Sequence, residues 1–67
     1  MNSYLLRSKI AEHGETQKDL AKVIGITAAN FSYKINGKVQ FRQKEIEAIR
    51  NHYNLSADDV DRIFFAA

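Results

Sequence analysis

Residues 16–38 read TQKDLAKVIGITAANFSYKINGK, and this stretch decides the fold. Gly25 divides it into two short amphipathic segments, which we predict to be helices 2 and 3 of the chain. Thr16, with Asp19 three residues on, forms the capping-box pattern that predicts the start of helix 2. Gly25 predicts its end, because glycine takes the left-handed conformation at a helix C-terminus without a Cβ penalty.

Helix 3 follows the same rules. Thr27 is its predicted N-cap, Asn36-Gly37 is its predicted end, and Phe31 and Ile35 form its apolar seam. Because only a glycine and an isoleucine join the two helices, they must cross at a steep angle. This is the helix-turn-helix geometry.

The outer face of helix 3 differs from an ordinary solvated helix surface. At 100° per residue, Ala29, Tyr33 and Asn36 lie opposite Phe31, and the face carries no acidic residue. A helix that lies in the DNA major groove needs low bulk in its first turn and no carboxylate near phosphate. Alanine methyls can pack on thymine methyls, and Asn30 can pair with adenine. We therefore expect this face to contact DNA.

The remaining sequence predicts three more helices and no strand. Residues 3–13 predict helix 1, residues 42–53 predict helix 4, and Ser56 is the N-cap candidate of helix 5. We expect one all-α domain over residues 1–67, a compact five-helix bundle. The inward stripes are Leu6 and Ile10 in helix 1, Ile46, Ile49 and Tyr53 in helix 4, and Val60, Ile63 and Phe64 in helix 5.

The charge is distributed unevenly along the chain. Residues 16–44 hold six lysines and arginines against Asp19 alone, a net charge of +5. The remainder holds four cations against seven acids, a net charge of −3, so that the whole chain carries +2. This asymmetry indicates a polyanionic partner that faces the middle of the chain.

At residues 16–38 the sequence resembles the Cro/repressor-type helix-turn-helix family, often called the Xre family. The resemblance rests on the glutamine that opens helix 2, the Leu-Ala pair, the Gly-Ile corner, Phe31 and the final Asn-Gly-Lys. The chain is most similar to small Cro-like repressors of temperate phages. The resemblance implies a lambda-repressor-like fold and a transcriptional regulator that binds double-stranded operator DNA.

The resemblance also implies roles for single residues. The base-reading positions would be Ala28, Ala29 and Tyr33, with Asn30 and Ser32 beside them. Gln17 would contact a phosphate at the N-terminus of helix 2, where the partial positive charge of the helix assists. The phosphate-binding set would be Gln17, Lys18, Thr27, Asn36, Lys38 and Arg42.

The sequence departs from the pattern of that family in two ways. Lys34 stands where the family usually buries an apolar residue, with Ile35 one place later. This difference indicates that helix 3 is rotated or ends differently. Ala28-Ala29 replaces the paired glutamines, or Gln-Ser, that read bases in lambdoid repressors. Shape readout is therefore expected to carry more of the specificity.

Other functions have weaker sequence support. His13 and His52 lack the spacing of a zinc site, and the acids near Ser56 fit helix capping better than metal binding. The chain has no cysteine and no nucleophile–base pattern. We therefore expect no enzyme activity, metal, cofactor or small-molecule ligand. Without a long apolar run we also expect no membrane span, and a cytoplasmic, nucleoid-associated location.

The C-terminal residues predict a weak homodimer through helix 5. Ile63 fits the core stripe and Phe65 points away from it, and we assign both to the dimer interface. The alternative is an antirepressor or antitoxin-like module that acts mainly by binding another protein. A subdomain of a larger repressor is a third interpretation, which the starting methionine and the lack of a trailing linker make less favoured.

Overall fold

Five short helices follow one another along the chain in a computed structural model, which describes residues 1–66. The helices are α1 (Ser3–Glu12), α2 (Gln17–Ile24), α3 (Ala28–Ile35), α4 (Gln43–Tyr53) and α5 (Ala57–Val60), and α5 continues as a π-helical segment, Asp61–Phe65. No strand occurs among the described residues. The prediction of a compact all-α chain with five helices is confirmed.

The predicted caps form the expected local hydrogen bonds. At α2 the Asp19 backbone N–H donates to the Thr16 hydroxyl at 3.2 Å, and the Thr16 N–H donates to the Asp19 carboxylate at 2.9 Å. These backbone and side-chain bonds lower the pKa of Asp19. Gly25 ends α2 with φ of +78°, in the left-handed region that favours glycine. Each Ser/Thr cap contributes about 1 kcal/mol, so the helix boundaries are set locally.

The core is built from the predicted apolar stripes, and residues that the pattern did not predict, Phe41 among them, pack against it. Phe31 and Ile35 of α3 are fully buried, together with core residues from every other helix. Phe41, in the connection between α3 and α4, lies with its ring edge-on between Phe31 and Phe64, at centroid distances of 5.7 and 5.5 Å. This aromatic row connects α3 with the C-terminal segment through Phe41.

The burial of Ile63, in the π-helical segment, corrects its assignment to the dimer interface. Ile63 is 1 % exposed, and its carbonyl accepts a hydrogen bond from the Asn2 backbone N–H at 2.7 Å. The side chain therefore lies in the core of a single chain and not at a dimer interface. Phe65 is 61 % exposed, as predicted. Within residues 1–66, no helix combines the length and apolar character needed to cross a bilayer.

Candidate nucleic-acid interface

The two faces of α3 differ as the sequence predicts. Phe31 and Ile35 point into the core, whereas Ala28, Ala29 and Asn30 are exposed. Tyr33 is 51 % exposed, and Ser32, on the flank of the helix, is half-buried. Thr27 precedes this face as the N-cap, and its hydroxyl accepts from the Asn30 backbone N–H at 3.1 Å. The first turn of α3 thus presents small side chains to solvent.

Lys34 is buried on the inner face of α3, beside Phe31 and Ile35. Its ammonium group lies 2.5 Å from Glu45 Oε1 on α4, and both side chains are 10 % exposed. The same carboxylate oxygen accepts the Arg42 backbone N–H at 2.8 Å, at the N-terminus of α4. Burial opposes ionisation of Glu45, but the hydrogen bonds from Lys34 and Arg42 outweigh it and lower its pKa.

The ion pair explains how a lysine is accommodated at this buried position. The helix keeps both members of its apolar seam fully buried and still ends at Ile35, and Tyr33 still faces solvent. A buried charge is tolerated only when it is paired and hydrogen-bonded, and Glu45 meets both needs. Glu45 was not predicted from the sequence, because nothing in the local pattern distinguishes it from the exposed Glu47.

The C-terminal end of α3 is attached to α1 by two hydrogen bonds. The Ser3 hydroxyl donates to the Ile35 carbonyl at 2.5 Å, and Arg7 Nη2 donates to Asn36 Oδ1 at 2.8 Å. Asn36 in turn donates through Nδ2 to the Ser32 hydroxyl at 3.4 Å. Asn36, predicted to hold a phosphate, therefore uses its side chain to connect α1 with α3.

The positive charge of the segment is on the surface except at Lys34. The Lys38 ammonium group lies 5.8 Å from the centroid of the Tyr33 ring, which puts a cation next to the outer face of α3. Because Lys34 is neutralised by Glu45, five exposed cations remain between residues 16 and 44: Lys18, Lys22, Lys38, Arg42 and Lys44. Gln17 is half-buried in the first turn of α2.

A second polar cluster joins the α1–α2 connection to the end of α4. The Tyr53 hydroxyl donates to Glu15 Oε1 at 2.7 Å, and His52 Nε2 lies 3.0 Å from Glu15 Oε2. The bonds from Tyr53 and His52 lower the pKa of Glu15. The His13 ring packs on Tyr53 with centroids 4.4 Å apart. Among residues 1–66, no group of three or more His, Cys, Asp or Glu side chains is arranged to hold a metal ion.

Comparison with known proteins identifies a family without assigning a function. The family described as "Protein of unknown function (DUF739)" matches residues 3–67, and the chain belongs to it. No curated protein matches the chain. No solved structure matches it either.

Proposed function

We propose that this DUF739 member is a sequence-specific double-stranded-DNA-binding transcriptional regulator of the Cro-like repressor type. In this proposal α2 and α3 form a helix-turn-helix, α3 lies in the major groove, and α2 crosses the sugar-phosphate backbone. The observation that carries the proposal is the outer face of α3, which is exposed, free of acidic residues and small in its first turn.

The geometry of α3 fits the requirements of a groove-binding helix. The major groove is about 12 Å wide and admits a helix whose contact face carries little bulk. Ala28 and Ala29 offer methyl groups to thymine, and Asn30 offers an amide to adenine. Tyr33 can reach a base or a phosphate from the second turn. These contacts are few, so sequence-dependent DNA shape contributes to specificity as well.

The rest of the molecule supports this role by holding α3 rigidly. Phe31 and Ile35 anchor it in the core, and Lys34 connects it to α4. Readout of base edges needs side chains held to within about 0.5 Å, and a helix that is packed in the core and hydrogen-bonded to α1 and α4 meets that need better than a loop. The exposed lysines and arginines supply the sequence-independent attraction to phosphate.

The size of one chain means that a site with two half-sites would need two chains, as in the predicted homodimer. Its longest dimension is 27 Å, whereas two recognition helices that read successive major-groove faces lie about 34 Å apart. One chain therefore covers a single half-site. Selection of random duplexes on the protein, followed by sequencing, should return an inverted repeat; a site without two-fold symmetry would contradict the dimer.

The decisive experiment replaces Ala29 with glutamate. Ala29 is the second residue of α3, where an acidic side chain interacts favourably with the helix dipole, so the fold should be preserved. In the groove the same carboxylate would face bases and phosphates. Like charges across an interface cost several kcal/mol, and a loss of about 3 kcal/mol weakens binding more than 100-fold.

Ala57→Glu is the matched control for this experiment. Ala57 is exposed in the first turn of α5, so the substitution adds the same charge in the first turn of another helix. We expect Ala57→Glu to bind the selected duplex within a few-fold of the unmodified protein and Ala29→Glu to lose binding. Thermal denaturation of both variants verifies that they are folded. Normal binding by Ala29→Glu would refute the groove assignment.

One observation favours a second candidate function, an antirepressor or antitoxin-like module that binds another protein. Phe65 is exposed at the rim of an open groove of about 440 Å³, which Val39, Phe41 and Phe64 also line. A protein of this kind would ignore duplex DNA at low salt and would capture one protein partner tightly. Duplex binding that weakens steeply with salt would exclude this alternative as the main function.

A further inference from the structure

We propose that Arg7, on α1, is an additional phosphate-binding residue of the DNA interface, and that Asn36 orients its guanidinium group. This inference rests on the function proposed above and deepens it. Arg7 lies outside the basic segment of residues 16–44. Hydrogen bonds from α1 to the end of α3 bring Arg7 to the side of the molecule that carries the exposed face of α3.

The position of Arg7 follows from two hydrogen bonds. Its Nη2 donates to Asn36 Oδ1 at 2.8 Å, and Asn36 Nδ2 donates to the Ser32 hydroxyl at 3.4 Å. On the helical wheel Asn36 lies on the same side as Ala29 and Tyr33, opposite Phe31. The guanidinium group of Arg7 therefore lies against the edge of the surface that faces DNA in the proposed complex.

Arg7 retains the chemical capacity to bind a phosphate in this position. A guanidinium group has five N–H donors in a planar fork, and the Asn36 contact uses one nitrogen. Arg7 is exposed, and within residues 1–66 no acidic side chain forms a salt bridge with it. Its charge is therefore available to a phosphodiester, which the fork can bind through two oxygens.

Arg7 supplies a positive charge that the exposed face of α3 lacks. Lys34, the only basic residue of α3, is turned inward and neutralised by Glu45. Arg7 and Lys38 then supply the cations at the end of the helix. Lys38 lies next to Tyr33, and Arg7 lies next to Asn36, so each outward polar side chain of this turn has a cation beside it.

A purely structural role for Arg7 makes a different prediction. A cation near the C-terminal end of α3 interacts favourably with the helix dipole and would stabilise the fold. Removing it would lower stability without changing how DNA affinity depends on salt. Binding to a phosphate releases counterions, and each contact contributes about 0.9 to the slope of log affinity against log salt concentration.

The test measures duplex affinity between about 50 and 200 mM salt for the unmodified protein, Arg7→Gln and Arg7→Lys, using one selected duplex. Arg7→Gln should lower the slope by about 0.9. The factor by which the unmodified protein binds more tightly than the variant should therefore fall about 3.5-fold from the lowest to the highest salt concentration. Arg7→Lys keeps the charge and should keep the slope. Arg50→Gln is the matched control, because Arg50 is exposed in the last turn of α4 and carries the same charge; its slope should not change.

The role of Asn36 is tested by a double-mutant cycle. If Asn36 acts through Arg7, Asn36→Ala weakens duplex binding by the unmodified protein but has no further effect in the Arg7→Gln background. An equal loss in both backgrounds would show that Asn36 binds phosphate by itself and would overturn the positioning role. Thermal denaturation of each variant separates loss of binding from loss of fold.

An NMR titration of the unmodified protein gives an answer even if a variant fails to fold. The Arg7 side-chain Nε–H resonance should shift on addition of the duplex, together with the backbone amides of α3. An unmoved Arg7 resonance while the α3 amides shift, or an unchanged salt slope in folded Arg7→Gln, would overturn this inference alone. If the unmodified protein binds no duplex, the proposed function fails and this inference fails with it.

Discussion

Replacing Lys34 with methionine tests whether the buried ion pair holds α3 against α4. Methionine keeps most of the length of lysine and removes the ammonium group, which lies 2.5 Å from Glu45 Oε1. In the variant, Glu45 keeps the hydrogen bond from the Arg42 backbone N–H but loses its charged partner. The carboxylate then remains buried with its charge uncompensated.

The expected loss of stability follows from this uncompensated charge. Removing one partner of a buried ion pair costs about 3–5 kcal/mol. Both side chains are 10 % exposed, and water at that edge reduces the cost, so we expect a loss of about 3 kcal/mol at pH 7. In a domain of this size 1 kcal/mol shifts Tm by about 4–8 °C, which gives a decrease of roughly 12–24 °C.

The pH dependence of the loss identifies its cause. In the unmodified protein, burial raises the pKa of Glu45. The bonds from Lys34 and Arg42 have a larger effect in the opposite direction, so the pKa lies below its ordinary value of 4.5. Without Lys34, burial dominates and the pKa of Glu45 in the folded state rises. A folded state that binds a proton more tightly than the unfolded state gains stability as pH falls. The difference between the unmodified protein and the variant should therefore be smaller at pH 5 than at pH 7.

Urea denaturation at both pH values measures the two effects. The matched control is Lys34→Met/Glu45→Gln, in which a neutral amide oxygen can still accept from Arg42 and no charge stays buried. We expect this double variant to recover about 2 kcal/mol of the loss at pH 7. Its free energy of unfolding should differ little between pH 7 and pH 5. A loss below about 1 kcal/mol for Lys34→Met, or a loss of the same size at both pH values, would refute the reasoning.

Three further predictions concern the surface of the molecule. Lys38→Ala should weaken binding to all duplexes alike and lower the salt slope by about 0.9, as measured by fluorescence anisotropy; a loss confined to one sequence would contradict a phosphate contact. Phe65→Ala should remove concentration-dependent self-association in sedimentation experiments, and identical behaviour of variant and unmodified protein at every concentration would exclude the dimer contact. Glu15→Gln should make stability depend less on pH in the acid range. The bonds from Tyr53 and His52 hold the pKa of Glu15 below 4.5, so the ionised Glu15 stabilises the fold above that pH and this stabilisation is lost as pH falls. Urea denaturation from pH 3 to 7 measures this, and an unchanged pH profile would contradict it.

The helices and their boundaries could be predicted from the sequence because the interactions that set them are local. The hydroxyls of Thr16, Thr27 and Ser56 each accept from a backbone N–H three residues later. Gly25 ends α2 for a reason that depends on its own backbone alone. The apolar seam of α3 is likewise a matter of spacing, so the division of that helix into a buried and an exposed face was predicted correctly.

In the C-terminal segment, spacing predicted which residues face inward but not the type of helix. A regular helix places Ile63 and Phe64 on one stripe, and both were predicted to face inward. The structure buries Ile63 in the core and packs the half-buried Phe64 against it, beside Phe41, so this prediction is confirmed. The π-helical hydrogen bonding of Asp61–Phe65 has no signature in the spacing of the apolar residues.

The sequence by itself determined five helices, three of them with Ser/Thr caps, a face without acidic residues on the third helix, and a basic middle segment. Tertiary structure alone decided that Lys34 pairs with Glu45, eleven positions away, and that Arg7 reaches Asn36, 29 positions away. Caps and periodic stripes depend on atoms within a few residues of one another, and the sequence specifies them directly. Pairs between helices depend on how the helices cross and where the connections run, and these are set only when the whole core packs.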